Sequence, residues 1–162
     1  MSYMTPTRLL NGMRNTPVIL KEVLKDVSAE QARQARDGAD GWSVVEVMGH
    51  LHDFETIFRE RTRAMLTEAS PRLGGYKQDD LVRERNHQAK DVHTLYDEYL
   101  EMRRAFVQEL AGLNEEQWMR VGIHPDAGAI TVAELAMNAA LHDVLHAEQM
   151  LRALGRSERL IT

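Results

Sequence analysis

Hydrophobic residues recur every three or four positions through four long stretches of the chain, which is the spacing of a helix with one buried face. Polar and glycine-containing segments separate these stretches. The pattern therefore predicts four long helices. They run from Thr7 to Val27, from Ser43 to before Ser70, from about Val92 to Leu113, and from Thr131 to about Leu154.

Local signals mark the ends of these helices. Ser43 with Glu46, and Thr131 with Glu134, have the spacing of a capping box, in which each residue bonds the backbone of the other. Pro17 lies inside the first helix, where we expect a kink or a restart because proline has no backbone N–H.

The segments between the helices are predicted to be mostly loops. Asn114 begins one short turn that carries Trp118, and Gly122 to Gly128 is interpreted as a loop. No segment shows a convincing strand pattern. The longest connection joins the second and third helices. The chain is therefore predicted to be all-α, with residues 1–162 forming a single four-helix-bundle domain.

Composition narrows the possible functions. Acidic residues outnumber basic ones by 25 to 20, and the resulting net charge of −5 argues against nucleic-acid binding. The chain has no cysteine, which excludes a thiolate metal ligand or a cysteine nucleophile of its own. The apolar runs are far shorter than the roughly 20 residues that span a membrane, and the N-terminus shows no signal peptide. We expect a cytoplasmic protein.

Three of the seven histidines have a spacing that suggests a metal site. His142 and His146 are four residues apart on the fourth helix, so their side chains share one face, beside the apolar stripe. His50 lies on a stripe of the second helix that also faces the interior, whereas His52 points the opposite way. Three neutral imidazoles leave coordination positions open, as catalytic zinc requires. Core histidines held by hydrogen bonds are the alternative.

Two other metal sites are less consistent with the sequence. His142-Asp143-Val144-Leu145-His146 has the spacing of the zincin motif, with aspartate in place of glutamate and no further ligand signature downstream. A di-iron bundle requires two Glu-x-x-His motifs, and only residues 84–87 provide one.

The sequence resembles the DinB-like superfamily of metal-binding bundles over essentially its whole length. The segment 42–55 is similar to the family's Trp-Ser and His-Leu-x-Asp-x-Glu signature, and 142–149 is similar to its His-x-x-x-His-x-x-Gln ending. The resemblance implies an up-down-down-up bundle that forms a homodimer, which the many apolar residues of the first and third helices also favour. It also implies a divalent metal, zinc or nickel, held by His50, His142 and His146.

The resemblance further implies a small-molecule substrate. Members include S-transferases and isomerases that use a low-molecular-weight thiol such as bacillithiol or mycothiol, and the metal favours its thiolate. A related hydrolase would instead use metal-activated water. A bundle that binds metal without catalysis, or only dimerises, is the alternative.

Four polar residues near the histidines are candidates for supporting roles. Asp143 is the candidate general base, although it could equally be an acid on the solvent-facing side of its helix. Asp53 or Glu55 could orient a ligand imidazole; the alternatives are ordinary helix surface or a salt bridge between helices. Gln149 could fix the ring of His146. Trp42 and Trp118 are interpreted as anchors of helix ends.

Overall fold

Four long helices form the core of the protein, as the hydrophobic pattern predicts. The computed structural model describes residues 5–157. The long helices are α1 (Pro6–Leu24), α3 (Val44–Thr67), α5 (Val92–Ala111) and α7 (Val132–Ala153). The shorter ones are α2 (Ala29–Gln34), α4 (Gln78–Arg85), a 3-10 turn (His87–Ala89) and α6 (Glu115–Trp118).

The helix starts follow the predicted caps. Both capping boxes form. The hydroxyls of Ser43 and Thr131 accept the backbone N–H groups of Glu46 and Glu134, and each glutamate carboxylate accepts the backbone N–H of its cap residue. Two ends differ from prediction: α1 stops at Leu24 and α5 at Ala111, each slightly early.

Proline does not divide the first helix. α1 continues through Pro17, whose missing N–H leaves the carbonyl of Met13 without its usual helical partner. That carbonyl instead accepts a hydrogen bond from Arg103 Nη1 at 3.2 Å. The restart at Pro17 was therefore a wrong prediction, and the free carbonyl connects α1 to α5.

Contacts between α1 and α7 show that these helices run parallel. Gly12 lies against Ala140, and four residues further along Thr16 donates to the carboxylate of Asp143. Both helices therefore advance in the same direction.

The same argument makes α3 and α5 parallel. Glu55 pairs with Arg103, and one turn later Arg59 pairs with Glu109. Since α3 and α5 are consecutive long helices, residues 68–91 must return along the bundle between them. The result is the expected up-down-down-up order.

A small β-hairpin replaces the predicted loop near the start of α7. Strands β1 (Val121–His124) and β2 (Gly128–Thr131) pair antiparallel. The strands could not be predicted from the sequence, because each has only four residues and includes a glycine. Gly122 is required by packing, since a Cβ there would lie 2.8 Å from Met65 Cγ.

A polar layer divides the core into two apolar clusters. One cluster is built around Met13, Phe58 and Phe106, and the other around Leu20, Met48 and Leu95. Among the described residues, none of the helices combines the length and apolarity needed to cross a membrane.

Candidate metal centre

Three imidazole rings converge between α3 and α7. His50 Nε2 lies 2.9 Å from His142 Nε2, which in turn lies 3.2 Å from His146 Nε2. One nitrogen from each ring falls within 4.8 Å of the others. The three histidines singled out in the sequence are thus brought together.

The helices supply this convergence by simple spacing. The capping box at Ser43 fixes the start of α3, and His50 follows two turns later, fully buried. His142 and His146 lie one turn apart on α7, so both rings can approach the same point. The site therefore forms only when α3 and α7 pack together.

All three rings are held neutral. Burial, with His146 nearby, lowers the pKa of His50 to about 3, and burial with both neighbouring histidines lowers the pKa of His142 to about 2. Burial also lowers the pKa of His146. Neutral imidazole has a free nitrogen lone pair, which metal ligation requires.

The hydrogen-bond partner of His146 determines which nitrogen of its ring carries no proton. Gln149 Oε1 lies 2.7 Å from His146 Nδ1, which therefore carries the proton and leaves Nε2 bare. The predicted role of Gln149 as a support for His146 is present in the geometry. The Nδ1 atoms of His50 and His142 are buried without a protein partner.

The donor set fits one cation better than a hydrogen-bond network. A proton on His142 Nε2 can be directed at only one of its two neighbouring nitrogens. Nitrogens about 2.0–2.1 Å from a zinc ion are about 3.3 Å apart in a tetrahedral site, which is close to the separations found here. One ion between the rings would bind a nitrogen of all three histidines.

Aromatic side chains enclose this cluster. Trp42 stacks on His146 with ring centroids 6.4 Å apart, and Phe54 lies 4.4 Å from His50. Phe58 contacts His142 edge-on at 5.6 Å. Trp42 was interpreted only as a helix anchor, but it forms a wall of the site. Such walls exclude water and strengthen electrostatic interactions inside.

His52 lies outside the cluster, as the sequence predicts. Its Nδ1 is 3.2 Å from Asp53 Oδ1 and its Nε2 is 3.3 Å from Glu98 Oε2 on α5. It is therefore a matched control for the three converging histidines.

Comparison with known proteins agrees with this geometry. The sequence profile of the DinB superfamily matches residues 13–150. The chain belongs to the DinB superfamily. The protein is 25% identical over 150 residues to YfiT of Bacillus subtilis (strain 168), to which a metal-dependent hydrolase activity is ascribed; the match covers 90% of this chain and 83% of YfiT.

Two solved structures share the fold of this DinB-superfamily chain. YfiT from Bacillus subtilis, described as a four-helix bundle of unusual topology, superposes with a TM-score of 0.82 at 22% identity, covering 97% of this chain and 91% of YfiT. A mycothiol-dependent maleylpyruvate isomerase superposes with a TM-score of 0.75 at 11% identity, covering 93% of this chain and 63% of the isomerase.

Asp53 and Glu55 of this DinB-superfamily chain do not orient a ligand imidazole. Asp53 accepts a hydrogen bond from His87 Nε2 at 2.8 Å, and His87 is fully buried. The hydrogen bonds from His52 and His87 outweigh burial and lower the pKa of Asp53. The orienting role was a wrong prediction for Asp53, because nothing in the sequence indicates that His87, in the long connection, folds against α3. For Glu55 the alternative of a salt bridge between helices is confirmed, since it pairs with Arg103 of α5.

Close packing of His87 on α3 requires a glycine. A Cβ at Gly49 would lie 2.2 Å from His87 Cγ, whereas one at Gly12 would lie 3.5 Å from Ala140 Cβ, an ordinary contact. We expect Gly49→Ala to destabilise the protein by about 1–3 kcal/mol through overpacking. Gly12→Ala should be neutral or stabilising by up to about 1 kcal/mol, because alanine favours helix. Urea unfolding of the two variants checks this; equal midpoints would refute the packing argument.

Asp143 is not a solvent-facing acid. It is buried, and its carboxylate accepts hydrogen bonds from Arg103 at 2.6 Å, from Tyr99 at 2.9 Å and from Thr16. Arg103 also forms two 2.7 Å hydrogen bonds with Glu55. These contacts connect all four long helices. They orient Asp143 towards Arg103 and do not favour its predicted role as general base.

The buried cluster contains more acidic than basic groups. Two carboxylates face one guanidinium, and burial raises the pKa of Glu55 even though Arg103 opposes this shift. Helical spacing from Tyr99 would bring Met102 to the inward face of α5. The structure instead buries Arg103, the neighbouring position, and leaves Met102 half-buried.

A cavity opens beside the histidine cluster. It has a volume of about 220 Å³ and reaches His142 at one end. Phe54 and Phe58 supply apolar surface, whereas Arg61 and His124 supply polar groups. Neither polar residue was identified from the sequence, because the long connection and the hairpin bring them together. The cavity gives a small molecule access to the histidine cluster of this DinB-superfamily protein.

Proposed function

We propose that this protein binds one divalent metal ion, zinc or nickel, through Nε2 of His50, His142 and His146. The observation that carries the proposal is the convergence of three neutral imidazole nitrogens beside a cavity. Three protein ligands with open positions are the arrangement of a catalytic metal site.

We further propose that the protein transfers a low-molecular-weight thiol, such as bacillithiol or mycothiol, to a small electrophile. The solved isomerase of the same fold depends on mycothiol, which supports this activity. A bound divalent metal stabilises a thiolate, the nucleophilic form of the thiol. In the transfer, the sulfur bonds to the electrophilic carbon, the displaced group leaves with its electron pair, and the thiol proton passes to solvent.

The residues around the centre would assist this reaction by holding and desolvating the reactants. Trp42 and Phe54 cover the imidazoles, and the cavity beside His142 receives the electrophile. Gln149 holds the ring of His146 in one tautomer. Exclusion of water also protects a reactive electrophile from hydrolysis.

A metal-dependent hydrolase is the second candidate. The activity ascribed to YfiT, which is 25% identical to this chain, supports it. Water activated by a metal ion would then replace the thiol as nucleophile. Asp143 remains the predicted general base for either reaction, although the contacts with Arg103 and Tyr99 support a structural role. A bundle that binds the metal without catalysis is the remaining alternative.

We also propose a homodimer. The sequence suggested that apolar residues of the first and third helices would form the interface. In the structure, however, those of α5 are largely buried, and large exposed apolar side chains are found on α1 and α7. They are Val18, Ile19, Leu141, Val144 and Leu145. Since α1 and α7 are neighbours, their surface is the best candidate interface.

A thiol-transfer assay distinguishes these functions. Metal-loaded protein, prepared without a histidine tag, would be mixed with mycothiol or bacillithiol and the neutral aryl halide chlorodinitrobenzene. In His142→Ala we expect the rate of thioether formation to fall about 100-fold or more. Losing a metal ligand should cost more than losing a hydrogen-bond partner of a ligand. His52→Ala should retain the activity.

Other outcomes identify the alternatives. Hydrolysis of activated esters without added thiol, lost in His142→Ala, would favour the hydrolase. Metal binding with neither activity would contradict both enzymatic proposals and favour the non-catalytic bundle.

A further inference from the structure

Arg61 is a buried guanidinium without a carboxylate partner. Its side chain is only 7% exposed, yet none of the ion pairs among residues 5–157 includes it. Nη2 donates to the carbonyl of Gly74, Nη1 lies 3.2 Å from His124 Nε2, and Nε has no partner. Arg103, which is also buried, is paired with two carboxylates. The guanidinium carbon of Arg61 also lies over the ring of Tyr76, 5.6 Å from its centroid, which leaves the charge without an anion. A buried charge without an ionic partner is costly, so Arg61 calls for an explanation.

The neighbouring histidine presents a second unsatisfied donor. His124 Nδ1 accepts the backbone N–H groups of Asp126 and Ala127 at 3.2 and 3.3 Å. A neutral imidazole has one acceptor nitrogen and one N–H, so Nε2 carries the proton. Nε2–H therefore faces the N–H groups of Arg61 Nη1. Two donors point at each other with no acceptor between them.

Both donors line the cavity that reaches His142. Asp126 also lines it, but its side chain is 91% exposed to solvent and lies on the Nδ1 side of His124, 4.0 Å away. We propose that this cavity binds the carboxylate of the substrate, which accepts hydrogen bonds from Arg61 and His124. Planar carboxylates match the fork of a guanidinium and would supply the missing acceptor and charge. This proposal rests on the proposed function, because it names the substrate class that the metal centre acts on.

The geometry also limits the length of that substrate. Phe58 contacts His142, and Arg61 follows Phe58 by three residues on α3, which is about 4.5 Å along the helix axis. The cavity of about 220 Å³ is smaller than the roughly 300–1,000 Å³ of typical drug-sized sites. The proposed substrate is therefore a short acid whose electrophilic centre lies a few bonds from its carboxylate.

Benzoate titration of the metal-loaded, full-length protein tests the proposal. The probe benzamide has the same shape without the charge. In ¹⁵N NMR spectra, the Nε–H resonance of Arg61, assigned by its absence in Arg61→Gln, should shift on adding benzoate and stay unchanged with benzamide. Arg61→Gln should weaken benzoate binding at least tenfold, because a charge-assisted hydrogen bond is lost. Arg61→Lys should restore part of the affinity.

Arg63→Gln is the matched control. Arg63 is an exposed residue of the same helix that pairs with Glu109, so its replacement should leave benzoate affinity unchanged. Equal benzoate affinity in wild type and Arg61→Gln would overturn the proposal, as would tighter binding of phenylphosphonate than of benzoate. Metal content and transfer to neutral chlorodinitrobenzene are measured in parallel on Arg61→Gln. If both persist while benzoate binding is unaffected, the carboxylate proposal fails and the proposed function stands.

Discussion

His142→Ala is expected to abolish metal binding while leaving the helical bundle folded. The Nε2 of His142 is the central nitrogen of the cluster, with those of His50 and His146 at 2.9 and 3.2 Å. Its removal leaves two imidazoles, one fewer than the three protein ligands of a catalytic metal site. Metal content of protein purified without a histidine tag should fall from about one ion per chain to a trace.

Two comparison variants make this prediction specific. His52→Ala removes a histidine of the same helix as His50 that contacts Asp53 and Glu98 instead, so its metal content should equal that of wild type. Gln149→Ala removes the partner of His146 Nδ1 and should weaken metal affinity by about 10- to 100-fold without abolishing it. Loss of metal in His52→Ala but not in His142→Ala would refute the assignment of ligands.

Arg103→Leu is expected to destabilise the protein by about 3–5 kcal/mol. The guanidinium is only 2% exposed and forms short hydrogen bonds with Glu55 and Asp143, so its removal leaves two buried carboxylates without a counter-charge. The carbonyl of Met13, freed by Pro17, would also lose its partner. Urea unfolding followed by circular dichroism measures the effect.

A surface arginine and a compensated variant serve as controls. Arg63→Leu breaks only an exposed ion pair with Glu109 and should change stability by less than about 1 kcal/mol. Adding Glu55→Leu and Asp143→Asn to Arg103→Leu should recover much of the loss, because no unpaired buried charge then remains. If Arg103→Leu lowers the free energy of unfolding as little as Arg63→Leu does, the buried ion pairs do not hold the bundle together.

Features set by local chemistry were predictable from the sequence. The capping boxes at Ser43 and Thr131 located the starts of α3 and α7, and a spacing of four placed His142 and His146 on one face. His50 required one further assumption, that its stripe of α3 faces α7. These features depend on residues within a few positions of one another, where helical periodicity decides the outcome.

Features that depend on contacts between residues far apart in the sequence were not predictable. Arg103 occupies an inward position between Tyr99 and Phe106, where a charge is tolerated only because Glu55 and Asp143 lie opposite, 48 and 40 residues away. A charged residue on an apolar stripe was the available signal, but nothing local identifies its partners. Arg61, in turn, gains its surroundings from Gly74 in the connection that follows α3 and from His124 in the hairpin, 63 residues away.

X-ray anomalous diffraction from crystals of the wild-type protein, grown without chelator or histidine tag, tests the metal site most directly. Data collected above and below the absorption edge of the bound metal should show one peak per chain. The peak should lie about 2.0–2.1 Å from Nε2 of His50, His142 and His146. A peak elsewhere, or none in crystals soaked with zinc and with nickel, would contradict the proposed metal centre.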